Sequence, residues 1–283
     1  MKKGFSLIAC CMIFLFGCNK TSVNEEAALP EETNSFTIRS CASNDVLQQQ
    51  LKDDPGLAQR MADIENFTQA YMQHPANSKL IAGGIIQIPV VVNVLYKTAA
   101  QNISLAQIQS QIDVLNEDFK ALNADYNSTP ALFQSVRSGD IKVSFVLDQV
   151  IRKSTTKSSW GTNDAMKKSA AGIVPTSPTT KLNLWCCNLS GGILGYAQFP
   201  GGSSATDGVV IDDNAFGRTG TVSAPYNKGR TATHEVGHWL NLRHIWGDAT
   251  CGTDQVGDTP AHNTANYGCP TYPHKSTCTG APV

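Results

Sequence analysis

Residues 234–244 read His-Glu-Val-Gly-His-Trp-Leu-Asn-Leu-Arg-His. On a helix, His234 and His238 are four residues apart, so both imidazoles project from one face and can place two nitrogens about 2.0–2.1 Å from one Zn²⁺. Glu235 lies beside the first histidine, where its carboxylate can reach a metal-activated water. Three histidine ligands, the third being His244, leave one position open, which is typical of a catalytic rather than a structural zinc site.

His244 can reach the same metal only if the chain turns sharply. Six residues of straight helix would place it about 240° around the axis from His238, pointing away. Such a turn needs a residue that tolerates the left-handed conformation, and Asn241 is among the most tolerant after glycine. The alternative interpretation is an ordinary helix with surface or core histidines. A purely structural zinc module is disfavoured, because no Cys₄ or Cys₂His₂ spacing is present.

Upstream of this segment, the apolar pattern switches between strand and helix. Ile86–Tyr96 is β-branched and apolar throughout, as in a buried strand. Ser104 and Gln107 form a candidate capping box, after which apolar residues recur at helical steps from Ile108 to Leu122. Further predicted strands are half-buried ones at 141–147 and 182–186, an edge strand at 195–199 and a short strand at 209–212. This order predicts an α/β fold with a mixed sheet.

The N-terminus has the pattern of an export signal. Two lysines precede an apolar stretch at 5–16, which is too short to span a bilayer comfortably and suits a signal peptide. The stretch ends at a glycine followed by Cys18, which resembles a bacterial lipobox whose cysteine is acylated. The alternative is an ordinary signal peptide in which Cys18 is incidental. We expect a signal peptide at 1–17, a lipidated flexible tether at 18–40, and a cell-envelope lipoprotein or extracellular protein.

Two helical patterns follow the tether. They cover 44–52 and then Leu57 to Tyr71, where apolar residues fall on one face. A break at 74–84, containing Pro, Gly, Asn and Ser, separates them from the strands. We therefore expect a domain boundary at this break, with a helical segment at 41–79 before it and a separate domain at 80–283 after it.

The overall composition narrows the classes of function. The 22 Lys and Arg residues nearly balance the 23 Asp and Glu residues, and a net charge of −1 does not suit a nucleic-acid binder. The 41% apolar residues can form a sizeable core. No helix-length apolar run follows residue 20, which excludes a multi-span membrane protein.

Residues 234–244 resemble the zinc-binding pattern of the metzincins and, within them, of the pappalysin family. The pattern has glycine where this chain has Asn241. The similarity covers about residues 39–283 and includes Leu-Gly-Tyr-Ala-Gln-Phe-Pro at 194–200, Asp-Thr-Pro at 258–260 and Tyr-Gly-Cys-Pro at 267–270.

The resemblance implies a metzincin (zincin-like) catalytic domain of the α/β class. Its expected parts are a twisted mixed sheet, a backing helix and an active-site helix, preceded by a small helical pro-segment. It also implies a zinc endopeptidase that acts on protein or peptide substrates without a covalent intermediate. The implied zinc ligands are His234, His238 and His244, and Glu235 is the implied general base.

Some implied roles lie outside the zinc motif. Residues 39–42, Arg-Ser-Cys-Ala, resemble a cysteine switch, in which the Cys41 thiolate fills the open zinc position and keeps a zymogen inactive. The alternative is that Cys41 forms a disulfide. Activation would need cleavage within the 74–84 break, where Lys79 is a candidate boundary. The implied substrate-pairing edge strand comprises Gly195, Tyr196, Ala197, Gln198 and Phe199.

The resemblance pairs Cys251 with Cys278 and leaves Cys269 without its partner. Adjacent Cys186 and Cys187 face opposite ways on a strand, and we expect buried thiols there rather than a vicinal disulfide. His262 and His274 are expected to be surface residues. Family members often bind structural calcium, for which oxygen ligands could come from four residues, with ordinary Asx turns as the equal alternative: Asp248, Asp254, Asp258 and Thr259.

The family also carries a methionine turn beneath the zinc, followed by a tyrosine that steadies the transition state. None of the five methionines of this chain follows His244. We therefore expect a C-terminally truncated, monomeric chain that keeps the zinc ligands and the base but lacks the methionine turn on which full activity would depend. The alternative is a non-catalytic or inactive surface lipoprotein that binds zinc and peptides.

Overall fold

A computed structural model describes residues 39–73, 84–268 and 270–283. The expected signal peptide, Cys18, most of the tether, Lys79 and Cys269 lie outside these residues. Among the residues described, no helix combines the length and apolarity needed to cross a membrane.

The elements follow the predicted order of two pro-segment helices, strand, helix, several strands and a late helix. The helices are α1 (Ser43–Asp53), α2 (Leu57–Gln73), α3 (Leu105–Phe119), α4 (Ala165–Lys168) and α5 (Arg230–Trp239). The strands are β1 (Ser40–Cys41), β2 (Ile86–Tyr96), β3 (Val143–Ser154), β4 (Leu182–Cys187), β5 (Ile193–Ala197) and β6 (Val209–Asp212).

The strands form one mixed sheet in the order β1-β5-β6-β4-β2-β3. The pairs β2–β3, β2–β4 and β4–β6 are parallel, whereas β5 runs antiparallel to β6. The two-residue strand β1 pairs in parallel with β5. The predicted α/β fold with a mixed sheet is confirmed, and the pro-segment covers the edge that β5 would otherwise expose.

Side chains alternate between the two faces of the sheet, and each face carries a buried core. On one face, Val92 and Leu184 pack with Ile112 of α3 and Val236 of α5. On the other face, residues of the central strands pack with Ala42 and Val46 of the pro-segment and with the α4 region. Helix α5 therefore packs against both the sheet and α3, and the pro-segment contributes to the core on the opposite face.

Several predicted boundaries and exposures differ from those observed. Helix α3 ends at Phe119, and Leu122 is 71% exposed because the backbone leaves the helix at Ala121, where φ is 56°. Strand β4 was predicted to be half-buried but is buried at every position, since it lies inside the sheet with both faces covered. Strand β3 begins at Val143 rather than 141 and continues to Ser154.

The predicted capping box at the start of α3 forms only in half. The Ser104 hydroxyl accepts a hydrogen bond from the Gln107 amide at 3.1 Å, as predicted. The Gln107 side chain does not reach back to the cap. It donates instead to the Phe216 carbonyl at 3.0 Å, which ties α3 to the loop that leads towards α5.

The described cysteines after β3 are paired or free as the sequence predicted, whereas one histidine near the C-terminus is not where it was expected. The structure joins Cys251 to Cys278 in a disulfide. Cys186 and Cys187 are free, buried thiols that belong to the cores on opposite faces of the sheet. The expectation of a surface position was wrong for His262, which is only 1% exposed. Its Nε2 lies 3.2 Å from the side-chain amide oxygen of Asn266.

Candidate active site

Helix α5 brings His234 and His238 together, one turn apart on the same face. Their Nε2 atoms lie 3.0 Å apart, and the Nε2 of His244 lies 3.2 Å from His238 and 3.3 Å from His234. A tetrahedral zinc with nitrogen ligands about 2.0–2.1 Å away requires nitrogen–nitrogen separations of about 3.3–3.4 Å. The three imidazoles therefore already have close to the spacing of a tetrahedral metal site.

A turn at Asn241 returns His244 to the metal-facing side. Asn241 has a φ of 76°, in the left-handed region that the sequence predicted for it. The Leu242 amide then donates to the Gly237 carbonyl at 2.9 Å, which closes the end of α5. The third histidine therefore reaches the site by a tight helix termination rather than by a longer loop.

Each of two histidines is oriented by a second polar contact. His238 Nδ1 lies 2.7 Å from the Leu242 carbonyl, and His244 Nδ1 lies 2.6 Å from the Asp248 carboxylate. An acceptor at Nδ1 fixes the tautomer that leaves Nε2 free to bind a metal. Burial lowers the pKa of His238 to about 4, which keeps this imidazole neutral, as a metal ligand must be.

Glu235 lies behind the histidines and is 1% exposed. Burial raises the pKa of its carboxyl to about 7, although hydrogen bonds from Ser43 and Cys41 act in the opposite direction. Gly195 of β5 allows the edge strand to approach, because a Cβ there would lie 3.1 Å from Glu235 Cγ and 2.8 Å from the Val210 carbonyl. The carboxylate is thus held between the helix and the strand that the sequence assigned to the substrate.

Cys41 joins the three histidines from the pro-segment side. Its Sγ and the ring nitrogens all lie within 4.8 Å of one another. Burial, followed by the charge of Glu235, raises the pKa of the Cys41 thiol well above its usual range. A divalent cation among these four ligands would favour the thiolate. Three neutral imidazoles and one thiolate are a donor set that fits Zn²⁺.

The chain just before the pro-segment is anchored by Arg39, which the sequence placed in the stretch that resembles a cysteine switch but without naming its partners. Its guanidinium donates to the Asp212 carboxylate at 2.6 Å, the Asn214 side chain at 2.6 Å and the Ile193 carbonyl at 2.9 Å. Asp212 is 2% exposed at the end of β6. These contacts join residues more than 150 positions apart, so no local sequence signal could have indicated them. The expected tether is therefore structured at Arg39 and Ser40.

A cavity of about 300 Å³ opens beside the histidines. Its walls include Glu235 and His234 on α5, Leu194 on β5, and Tyr226 in the preceding loop. It is large enough to receive a side chain of a peptide lying along the cleft.

The predicted substrate segment 195–199 is only partly a strand. Gly195, Tyr196 and Ala197 end β5, whereas the chain leaves the sheet at Gln198. Gln198 turns inward to bond the Ser203 carbonyl, and Phe199 packs with Leu57 of the pro-segment. The strand prediction was therefore two residues too long at this end.

The four candidate calcium ligands do not converge on one point. Asp248 contacts His244, as described above. Asp254 accepts hydrogen bonds from the Thr259 hydroxyl at 2.8 Å and the Val256 amide at 3.1 Å, the second being an Asx turn. Asp258 is exposed. Among the described residues, only Cys41 and the three histidines form a metal-binding group of three or more His, Cys, Asp or Glu side chains.

A family match, similar protein sequences and similar solved structures all indicate the same family of proteins. The family described as pregnancy-associated plasma protein-A matches residues 185–283. An extracellular metalloprotease of Arthroderma otae is 31% identical over 228 residues, covering 77% of this chain and 74% of that protein. An extracellular metalloprotease of Colletotrichum graminicola is 30% identical over 252 residues, covering 86% of this chain and 78% of its own length.

Solved structures agree with the fold. A mutant of promirolysin from Tannerella forsythia superimposes with a TM-score of 0.76 at 42% identity, covering 86% of this chain and 83% of that chain. Mature mirolysin in complex with a cleaved peptide gives a TM-score of 0.67 at 46% identity, covering 70% and 80%. With this extent of similarity to metalloproteases, and with the fold expected of a metzincin, the chain belongs to the pappalysin family of metalloendopeptidases.

Proposed function

We propose that this chain is the latent form of an exported zinc endopeptidase, with His234, His238 and His244 as zinc ligands and Glu235 as general base. The observation that carries the proposal is the cluster of three Nε2 atoms, 3.0–3.3 Å apart, beside a buried carboxylate. Zinc binding alone does not require that carboxylate, whereas hydrolysis does.

The hydrolytic steps are assigned to the residues of the cleft. Bound Zn²⁺ would supply Lewis-acid polarisation of the scissile carbonyl and of the attacking water. Glu235 takes the proton of that water and returns it to the nitrogen of the leaving amine. In this pro-segment-bound form, burial raises the pKa of the carboxyl to about 7, and a group that titrates near neutrality accepts and releases a proton readily.

The substrate is proposed to lie along β5 as an added strand. Strand β5 is paired on one side with β6 and on the other only with the two residues of β1. Once the pro-segment has left, the free backbone groups of β5 would be available to pair with an extended peptide. The cavity beside Tyr226 then faces the scissile bond and would receive a neighbouring side chain.

Latency is assigned to Cys41, whose sulfur would fill the fourth position of a bound zinc ion, which hydrolysis requires for water. Activation by cleavage within 74–84, with Lys79 as candidate boundary, would release residues that include Arg39 and Cys41. Export is supported by the signal-like N-terminus and by relatives named extracellular metalloproteases. Attachment through an acylated Cys18 stays part of the proposal. So does a structural calcium ion, for which the contact between Asp254 and Thr259 is the part of the four-residue candidate set that remains.

The central test removes the base while keeping the ligands. In the zinc-loaded full chain carrying Cys41→Ala, we expect casein cleavage that a chelator abolishes. Adding Glu235→Gln should lower this activity by about 10²–10⁴-fold, because general acid–base catalysis contributes about that much. Zinc content, measured by mass spectrometry, should stay at one ion per chain.

Asp63→Asn is the matched control, since Asp63 is an exposed carboxylate on α2. It should leave cleavage unchanged. Chelator-sensitive cleavage that survives Glu235→Gln would reject the mechanism. Full zinc occupancy without any cleavage would favour the alternative of a non-catalytic lipoprotein that binds zinc and peptides.

A further inference from the structure

Ser43, the first residue of α1, contacts the active site directly. Its hydroxyl donates to Glu235 Oε2 at 2.7 Å and accepts from the Ala197 amide of β5 at 2.8 Å. The side chain is completely buried. Both partners belong to the catalytic domain, more than 150 residues away, so this hydroxyl does not serve to cap its own helix.

Neighbouring pro-segment atoms converge on the same groups. The Cys41 thiol lies 3.4 Å from the Glu235 oxygen that Ser43 contacts, and the Ala42 amide donates to the Gly195 carbonyl at 3.0 Å. Three consecutive residues therefore lie against the histidine cluster, the carboxylate and two polar groups of the edge strand.

We propose that Ser43 is a second latency residue, which blocks the carboxylate of Glu235 independently of the thiol that blocks the metal. This inference rests on the proposed function, because it takes Glu235 as the base and Cys41 as the metal-blocking group. The hydroxyl fills a lone pair with which Glu235 would accept a proton from water. It also occupies the Ala197 amide, which an extended peptide would use. Latency then depends on two contacts of different chemistry.

The contacts of the Ser43 hydroxyl stabilise the docked segment, because removing the hydroxyl would leave buried polar groups without a partner. Without the hydroxyl, a buried carboxylate and a buried amide would each lose a partner, and an unsatisfied buried group is costly, above all when charged. Dissociation of the segment would restore both groups to solvent. We therefore expect Ser43→Ala to raise the population of the undocked segment by about 10- to 100-fold.

The first measurement follows docking without relying on catalysis. The full chain, freed of metal with EDTA, is treated with iodoacetamide, and alkylation of Cys41 is followed by peptide mass spectrometry. Ser43→Ala should speed this alkylation by about 10- to 100-fold. Ser40→Ala is the matched control, because Ser40 is exposed and pairs through its backbone, and it should change the rate by less than twofold. Equal rates in Ser43→Ala and wild type would overturn the proposal.

The second measurement separates the contact with Glu235 from a merely structural role. If Ser43 acts on the base, Ser43→Ala should have a much smaller effect in a chain that already carries Glu235→Ala. An undiminished effect would overturn the proposal. The buried thiols of Cys186 and Cys187 report in the same digest whether a variant has unfolded. Should Ser43→Ala unfold, Ser43→Thr keeps the hydroxyl and decides: slow alkylation supports the proposal, and fast alkylation overturns it.

Activity separates failure of this inference from failure of the proposed function. Zinc-loaded Cys41→Ala/Ser43→Ala should cleave casein at least tenfold faster than Cys41→Ala alone, and equal rates would contradict a second latency contact. Absence of cleavage in every variant would refute the proposed protease. The alkylation rates would then still decide whether Ser43 holds the segment on Glu235.

Discussion

At the scale of single residues, the site depends on side chains that touch the ligands rather than the metal. His244 stands on a turn outside any helix, so its ring orientation is set by Asp248 at Nδ1 and by the stacked ring of Trp246, 4.3 Å away. His238 lies inside α5 and uses a backbone carbonyl instead. Because its orientation depends on two side chains rather than on the backbone, His244 is the ligand whose position a substitution nearby would disturb most.

Replacing Asp248 by asparagine tests this dependence. Asparagine tolerates the left-handed backbone of this position, where φ is 54°, but removes the charge. We expect zinc affinity to fall about tenfold or more, within the range typical for loss of a ligand's hydrogen-bonding partner. Competition with a fluorescent chelator measures it. Asp258→Asn is the control, because Asp258 is exposed; the same affinity in both variants would count against the role of Asp248.

At the scale of the elements, the end of α5 decides whether three ligands meet. The helix supplies two histidines by its periodicity alone, and the turn at Asn241 supplies the third. The same turn presents the Leu242 carbonyl to His238. One backbone conformation therefore positions one ligand and orients another.

Substitutions at Asn241 should separate backbone conformation from side-chain chemistry. Asn241→Val places a β-branched residue at positive φ, and we expect it to cost about 1–2 kcal/mol of stability and to weaken zinc binding. Asn241→Gly accepts this conformation freely and should preserve both properties. Urea unfolding of the metal-free chain and chelator competition measure the two effects. A fully stable valine variant with normal zinc affinity would show that the turn is not required.

At the scale of the whole molecule, the pro-segment is an integral part of the folded chain. Its Val46 completes the core on one face of the sheet, and its Leu57 packs with Phe199. Arg39 neutralises the buried Asp212 at the end of β6. Neighbouring Asp213 has a pKa raised to about 7 by burial, by its hydrogen bond with Asp212 and by the charge of Asp212.

This raised pKa predicts a pH dependence of stability. A carboxyl whose pKa is higher in the folded than in the unfolded chain stabilises below its unfolded pKa, near 3.9, and loses that contribution as pH rises through about 7. Asp213→Asn should therefore remove a decline of at most about 1.4 kcal/mol per pH unit between about pH 4 and 7. Urea unfolding at several pH values measures it. Asp258→Asn, at an exposed carboxylate, should leave the slope as in wild type, and an unchanged slope in Asp213→Asn would contradict the assignment.

Local patterns in the sequence determined much of the fold and the centre of the site. Strand β2 and the two pro-segment helices were predicted closely, because apolar periodicity depends on neighbours along the chain. The spacing of His234 and His238 and the tolerance of Asn241 for the left-handed conformation are also local features. Together they were sufficient to predict that the three imidazoles converge on one site.

Only the tertiary structure revealed which elements pack against one another and which residues they bury. Strand β4 proved buried on both faces and His262 proved buried, because burial depends on which elements cover a residue. The contacts of Ser43 with Glu235 and of Arg39 with Asp212 join positions 192 and 173 residues apart. Such contacts leave no periodic trace in either segment, since they exist only after the sheet has closed against α5 and the pro-segment has paired with β5.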